Sequence, residues 1–125
     1  MTPTRVLVVE DDDDVRRSVC GILRYGGYEV TEATDGREAI DRLHGEGFDV
    51  LLLDLFMPNV DGAGVLDSLE SDPVIILHSA FEYVSLAATR ASYGPRVSAF
   101  LTKPVPPMDL LHTLEDCLER RAGAD

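Results

Sequence analysis

Val50-Leu51-Leu52-Leu53-Asp54 is the segment that most narrows what this chain can become. Four consecutive apolar residues leave no polar face, so a strand made from them is covered on both sides, as in the middle of a parallel sheet flanked by helices. The run ends on a carboxylate, and turn chemistry follows in Pro58, Asn59, Asp61 and Gly62. Ligands of open parallel sheets bind outside the carboxyl ends of the strands. Asp54 is therefore a candidate site residue, against a competing reading in which it only caps the following loop.

The same arrangement recurs along the chain. Val6-Leu7-Val8-Val9 empties into Glu10-Asp11-Asp12-Asp13-Asp14, and Val15, Val19, Ile22 and Leu23 then recur at helical spacing up to Gly26-Gly27. Tyr28 to Ala33 alternates as a strand, and Asp35 to Leu43 reads as a capped helix stopping near Gly45 and Gly47. After Asp61-Gly62, Val65, Leu66 and Leu69 mark a short third helix. Val74 to His78 is a strand ending in Ser79-Ala80, and a further helix is expected from about Glu82 to Ser92, before Gly94-Pro95. Val97 to Leu101 makes a fifth strand ahead of Thr102-Lys103-Pro104. Pro107 opens a last helix with Leu110, Leu111, Leu114 and Leu118 on its apolar side, and residues 120 to 125 are expected to fray. Strands alternating with helices predict an α/β fold, a doubly wound five-stranded parallel sheet with five helices.

At 125 residues this is one domain, with its core spanning about 5 to 121. The apolar runs are strand-length, short of the roughly 20 residues of a membrane span, so the expectation is a soluble, cytoplasmic protein. A net charge of −12 repels nucleic-acid backbones and anionic lipid. Cys20 and Cys117 lack metal-type spacing and read as reduced packing residues. Among eleven Lys and Arg residues only Lys103 is a lysine, so a lone lysine followed by proline at a strand end asks for a reason.

Right-handed crossovers bring the carboxyl ends of parallel strands to one edge. Glu10 and Asp11, Asp54, Ser79 and Lys103 should therefore converge. Clustered carboxylates need a cation, and hard oxygen ligands suit Mg²⁺. With the metal holding all three ionised, Asp54 can act as a nucleophile toward a phosphoryl group and form an acyl phosphate. Lys103 and Ser79 would hold the other phosphoryl oxygens. Asp12, Asp13 and Asp14 read as solvated helix-start acids; His78 and His112 do not sit where a nucleophile would face a donor, and His44 reads as a surface residue.

Val6 to Asp11 with the acidic pair, Asp54-Leu55-Phe56-Met57-Pro58 with Asp61-Gly62, Ser79-Ala80 and Lys103-Pro104 together resemble a response-regulator receiver domain, the phospho-acceptor module of two-component signalling. The similarity spans roughly Arg5 to Arg121. It implies phosphorylation of Asp54 by a histidine kinase or phosphotransfer protein. It also implies Mg²⁺ held by Asp11, Asp54, the Phe56 backbone carbonyl and Glu10, the last partly through water. The Ala80 backbone would meet the phosphoryl group, Lys103 would pair with Asp54 at rest, and Phe100 would be the switch aromatic. The output would be a downstream protein or an output domain outside this sequence, with homodimerisation through the last helix left open. Such a chain is a switch with self-phosphorylation and self-dephosphorylation chemistry, not an enzyme in the usual sense. Phe56 and Phe81 would flank the path of the hydrolytic water and slow loss of the phosphoryl group. Two departures from the family pattern are a short segment between Asp54 and Ser79, which should truncate the third helix, and a slightly long one from Ser79 to Lys103.

Other classes fit less well. A metal-dependent phosphatase wants an acid-base Asp two residues after its nucleophile, where this chain has Phe56. A flavodoxin-like cofactor binder needs a phosphate cradle where this chain has acids. A pseudo-receiver that signals without phosphorylation is the serious competitor.

Overall fold

The computed structural model describes residues 2–55, 62–79 and 96–123. Five parallel strands form one sheet: β1 (Arg5–Val9), β2 (Glu29–Ala33), β3 (Val50–Asp54), β4 (Val74–Ser79) and β5 (Ala99–Thr102), in the order β2-β1-β3-β4-β5. Four helices lie among the described residues: α1 (Asp13–Tyr25), α2 (Gly36–Gly45), α3 (Gly62–Asp67) and α4 (Pro107–Gly123). The helix expected from about 82 to 92 lies outside the described residues.

β3 and β4 are buried at every position, as continuous apolar runs require. Alternate side chains feed two layers. Val6, Val8, Val50, Leu52, Val74 and Ile76 pack toward α1 and α4, whereas Leu7, Val9, Leu51, Leu53, Ile75 and Leu77 face the opposite cluster, which includes residues of α2 and α3. Both cysteines are buried and unbridged in the first layer, as packing residues should be.

Local chemistry fixes the helix starts. The Asp12 side chain accepts from the amides of Asp14 and Val15, which makes it the N-cap of α1 and confirms a capping role for an acid next to the site. Asp35 caps α2 by accepting from the Glu38 amide, and Glu38 returns to accept from Thr34. α3 has six residues, in keeping with the truncation expected from the short segment between Asp54 and Ser79. Gly62 is required there, because a Cβ would lie 2.9 Å from Leu55 Cα and 3.2 Å from the Asp54 carbonyl oxygen.

Two expectations need correction. The β5 ladder begins at Ala99, not Val97; Val97 packs into the second cluster, while the Ser98 amide donates to the Ile75 carbonyl just before the ladder starts. The chain does not fray at 120, since α4 runs to Gly123 and the Arg121 guanidinium donates to the carbonyls of Asp72 and Pro73, tying the helix to the start of β4.

Candidate functional site

β1 and β3 are central neighbours whose connections leave to opposite sides of the sheet, so a crevice opens between their carboxyl ends. Glu10 follows β1 directly, Asp54 ends β3, Ser79 ends β4, and Lys103 follows β5 directly. The structure brings all four together with Asp11. Ligand oxygens of Glu10, Asp11 and Asp54 lie within 4.8 Å of one another. Lys103 Nζ donates to Asp54 Oδ2 at 3.0 Å and also to Glu10 Oε1, and Ser79 Oγ donates to Asp54 Oδ1 at 3.3 Å.

The burial is uneven. Glu10 is 0% exposed and Asp54 5%, whereas Asp11 faces solvent. Burial pushes the Glu10 carboxyl up to about 7, against the downward pull of the Lys103 hydrogen bond. Burial alone would lower the Lys103 ammonium, but its bonds to Glu10 and Asp54 outweigh that and raise it, so the lysine stays charged. Three clustered carboxylate oxygens, one of them open to water, are the donor set a hard divalent cation takes, and the residues fit Mg²⁺.

The Glu10–Lys103 contact is not legible in the sequence, whose resemblance pairs Lys103 with Asp54. The same holds for His78. It lies beside Asp54 in the β3–β4 register and is 1% exposed, and its Nε2 has no hydrogen-bond partner among the described residues. Burial, aided by the Lys103 charge, drives its pKa down to about 4, so it is neutral. His44 and His112 are exposed. Phe100 is half-buried against the second cluster. Phe56, Ala80 and Phe81 lie outside the described residues.

The family model for the response regulator receiver domain matches residues 6–115. The chain belongs to the response-regulator receiver family. The response regulator receiver protein CpdR of Brucella abortus is 35% identical over 115 residues, covering 91% of this chain and 96% of CpdR. The response regulator MprA of Mycolicibacterium vanbaalenii is 35% identical over 127 residues, and here the match spans 98% of this chain but 54% of MprA. A CheY-like receiver domain protein from Methanospirillum hungatei superposes with a TM-score of 0.88 at 28% identity, covering 99% of this receiver and 100% of that chain. Receivers generally hold Mg²⁺ in an acidic pocket, and the cluster at Glu10, Asp11 and Asp54 is this receiver's acidic pocket. Among the described residues no helix is long and apolar enough to cross a membrane.

Proposed function

We propose that this receiver accepts a phosphoryl group on Asp54 from a phosphohistidine donor, with Mg²⁺ bound by Glu10, Asp11 and Asp54, and changes a partner-binding surface as a result. The observation that carries the reading is a carboxylate, Asp54, held between a lysine and a hydroxyl with two further acids at its side. An Asp54 carboxylate oxygen forms a bond to phosphorus as the phosphorus–nitrogen bond of the donor breaks, and the imidazole nitrogen keeps the electron pair. The bound cation supplies charge neutralisation for the incoming phosphoryl oxygens.

The chain's own residues do the remainder. Lys103, drawn to both carboxylates, can follow the negative charge from Asp54 to the phosphoryl group, and Ser79 Oγ can donate to a phosphoryl oxygen in place of Asp54 Oδ1. A cleft of about 470 Å³, lined by Val15, Ser18, Ile22, Pro104 and Val105, opens beside Lys103 and gives a donor protein an apolar seat next to the acceptor. The output is a separate protein or an output domain. The Phe56 carbonyl, the Ala80 backbone and the Phe100 switch remain part of this proposal.

Intact mass after incubation with Mg²⁺ and a small acyl phosphate or phosphoramidate tests it. One added phosphoryl group in the wild type, absent in Asp54→Asn and absent with a chelator, is the expected result. A folded wild type that gains nothing from either donor overturns the reading in favour of signalling without phosphorylation.

A further inference from the structure

Arg16 is a cation on the buried face of α1. The residues of that helix that reach the core are Arg16, Val19, Cys20 and Leu23, at the spacing of one helical stripe. A guanidinium at 7% exposure is held there only if its donors are used. Each of its nitrogens has a different acceptor: Nε donates to Glu32 Oε1 at 3.1 Å, one terminal nitrogen to the Glu10 carbonyl oxygen at 3.0 Å, and the other to Asp13 Oδ1 at 2.6 Å. The acceptors come from β2, the end of β1 and the first turn of α1. Glu32 is itself braced by Arg24 at 3.4 Å.

The contact that matters is the one to the Glu10 carbonyl. That oxygen belongs to the peptide linking Glu10 to Asp11, and the orientation of this peptide sets where the two acids point. Glu10 is otherwise held through its amide, which donates to the Ala33 carbonyl, through Oε2, which accepts from the Asp12 amide, and through Oε1, which accepts from Lys103 Nζ. Among the described residues, Arg16 is the side chain that donates to the carbonyl of this peptide. We propose that Arg16 is a positioning residue for the metal-binding acids, fixing the Glu10–Asp11 peptide so that both carboxylates meet Asp54. This inference rests on the proposed Mg²⁺ site.

The sign of the effect separates positioning from simple charge. A cation near a cation site repels the metal, so deleting Arg16 as a charge alone should tighten Mg²⁺ binding. Deleting a support for the ligands should weaken it, and loss of an outer partner of metal ligands typically costs about 10- to 100-fold in affinity.

Mg²⁺ affinity is measured by calorimetry on the unphosphorylated protein for wild type, Arg16→Met, Arg16→Lys, Arg17→Met and Val19→Ala. Arg17 is exposed, so its replacement removes the same charge without the fork, and Val19→Ala loosens the same stripe without touching the peptide. The expected result is affinity at least about tenfold weaker for Arg16→Met. Arg16→Lys should be weaker to a smaller degree, because it keeps the charge and loses the planar fork. Arg17→Met and Val19→Ala should match the wild type or bind slightly tighter. If Arg16→Met does not fold, the Arg16→Lys comparison decides alone. Affinity in the Arg16 variants within twofold of wild type, or tighter, overturns the proposal. A wild type that binds no Mg²⁺ overturns the functional reading beneath it, a different failure that the wild-type titration identifies by itself.

Discussion

Replacing His78 by leucine should change how the stability of this protein depends on pH. The ring is 1% exposed and neutral, with its pKa driven by burial from 6.5 to about 4. A lowered histidine pKa means that the unfolded chain binds a proton more readily than the folded one, so this group favours folding above pH 6.5 and loses that contribution as pH falls toward 4. At 1.36 kcal/mol per pKa unit, the part lost between pH 7 and 4.5 is about 2 to 3 kcal/mol. Glu10 acts in the opposite sense, because its carboxyl is raised from 4.5 to about 7 and its contribution is full at low pH and lost as pH rises through 7. The two slopes oppose each other in the wild type. His78→Leu removes one of them and relieves the unpaired Nε2, a buried polar atom whose desolvation costs about 1 to 3 kcal/mol. Urea unfolding in EDTA at pH 4.5 and 7 measures the difference. Relative to wild type, the variant should gain about 2 to 3 kcal/mol more at pH 4.5 than at pH 7. Parallel pH profiles for the two proteins would refute the assignment of a neutral, buried His78.

Glu10→Gln is the mirror image: in EDTA, between pH 4.5 and 7, its stability relative to wild type should rise by about 2 to 3 kcal/mol, read by the same unfolding experiment. Gly62→Ala should lower stability by about 1 to 3 kcal/mol despite alanine's better helix propensity, since its Cβ meets the backbone of Leu55 and Asp54, and thermal unfolding checks the direction. Replacing Phe56 and Phe81 together by polar residues should shorten the lifetime of the phosphorylated protein, followed as loss of the added mass after donor removal; an unchanged lifetime would remove the case for an apolar screen against water.

The strand ends are legible because a buried parallel strand needs an unbroken apolar run, and the polar residues that follow each run mark the site edge: Glu10 after Val9, Asp54 after Leu53, His78 and Ser79 after Leu77. Lys103 stood out through composition as the single lysine. What escaped were side-chain pairings between elements distant in sequence. Lys103 reaches Glu10 across 93 residues, and no local pattern encodes that contact. Arg16 did leave a signal, a charge on the same stripe as Val19, Cys20 and Leu23, which marks a cation with buried partners. His78 follows the apolar run of β4 and so lies at the site edge, but nothing local in the sequence says that its ring is buried beside the acceptor. The tail looked loose because its composition is polar, whereas Arg121 finds backbone carbonyls at the start of β4.

The central claim is that Asp54 itself carries the phosphoryl group. Reduction of the phosphorylated protein with borohydride converts an aspartyl acyl phosphate to homoserine, and peptide mass spectrometry then locates the converted residue. Homoserine at position 54, found only when Mg²⁺ and the donor were both present, is the predicted result. Conversion at another carboxylate, or none in protein that has gained a phosphoryl mass, would contradict the account.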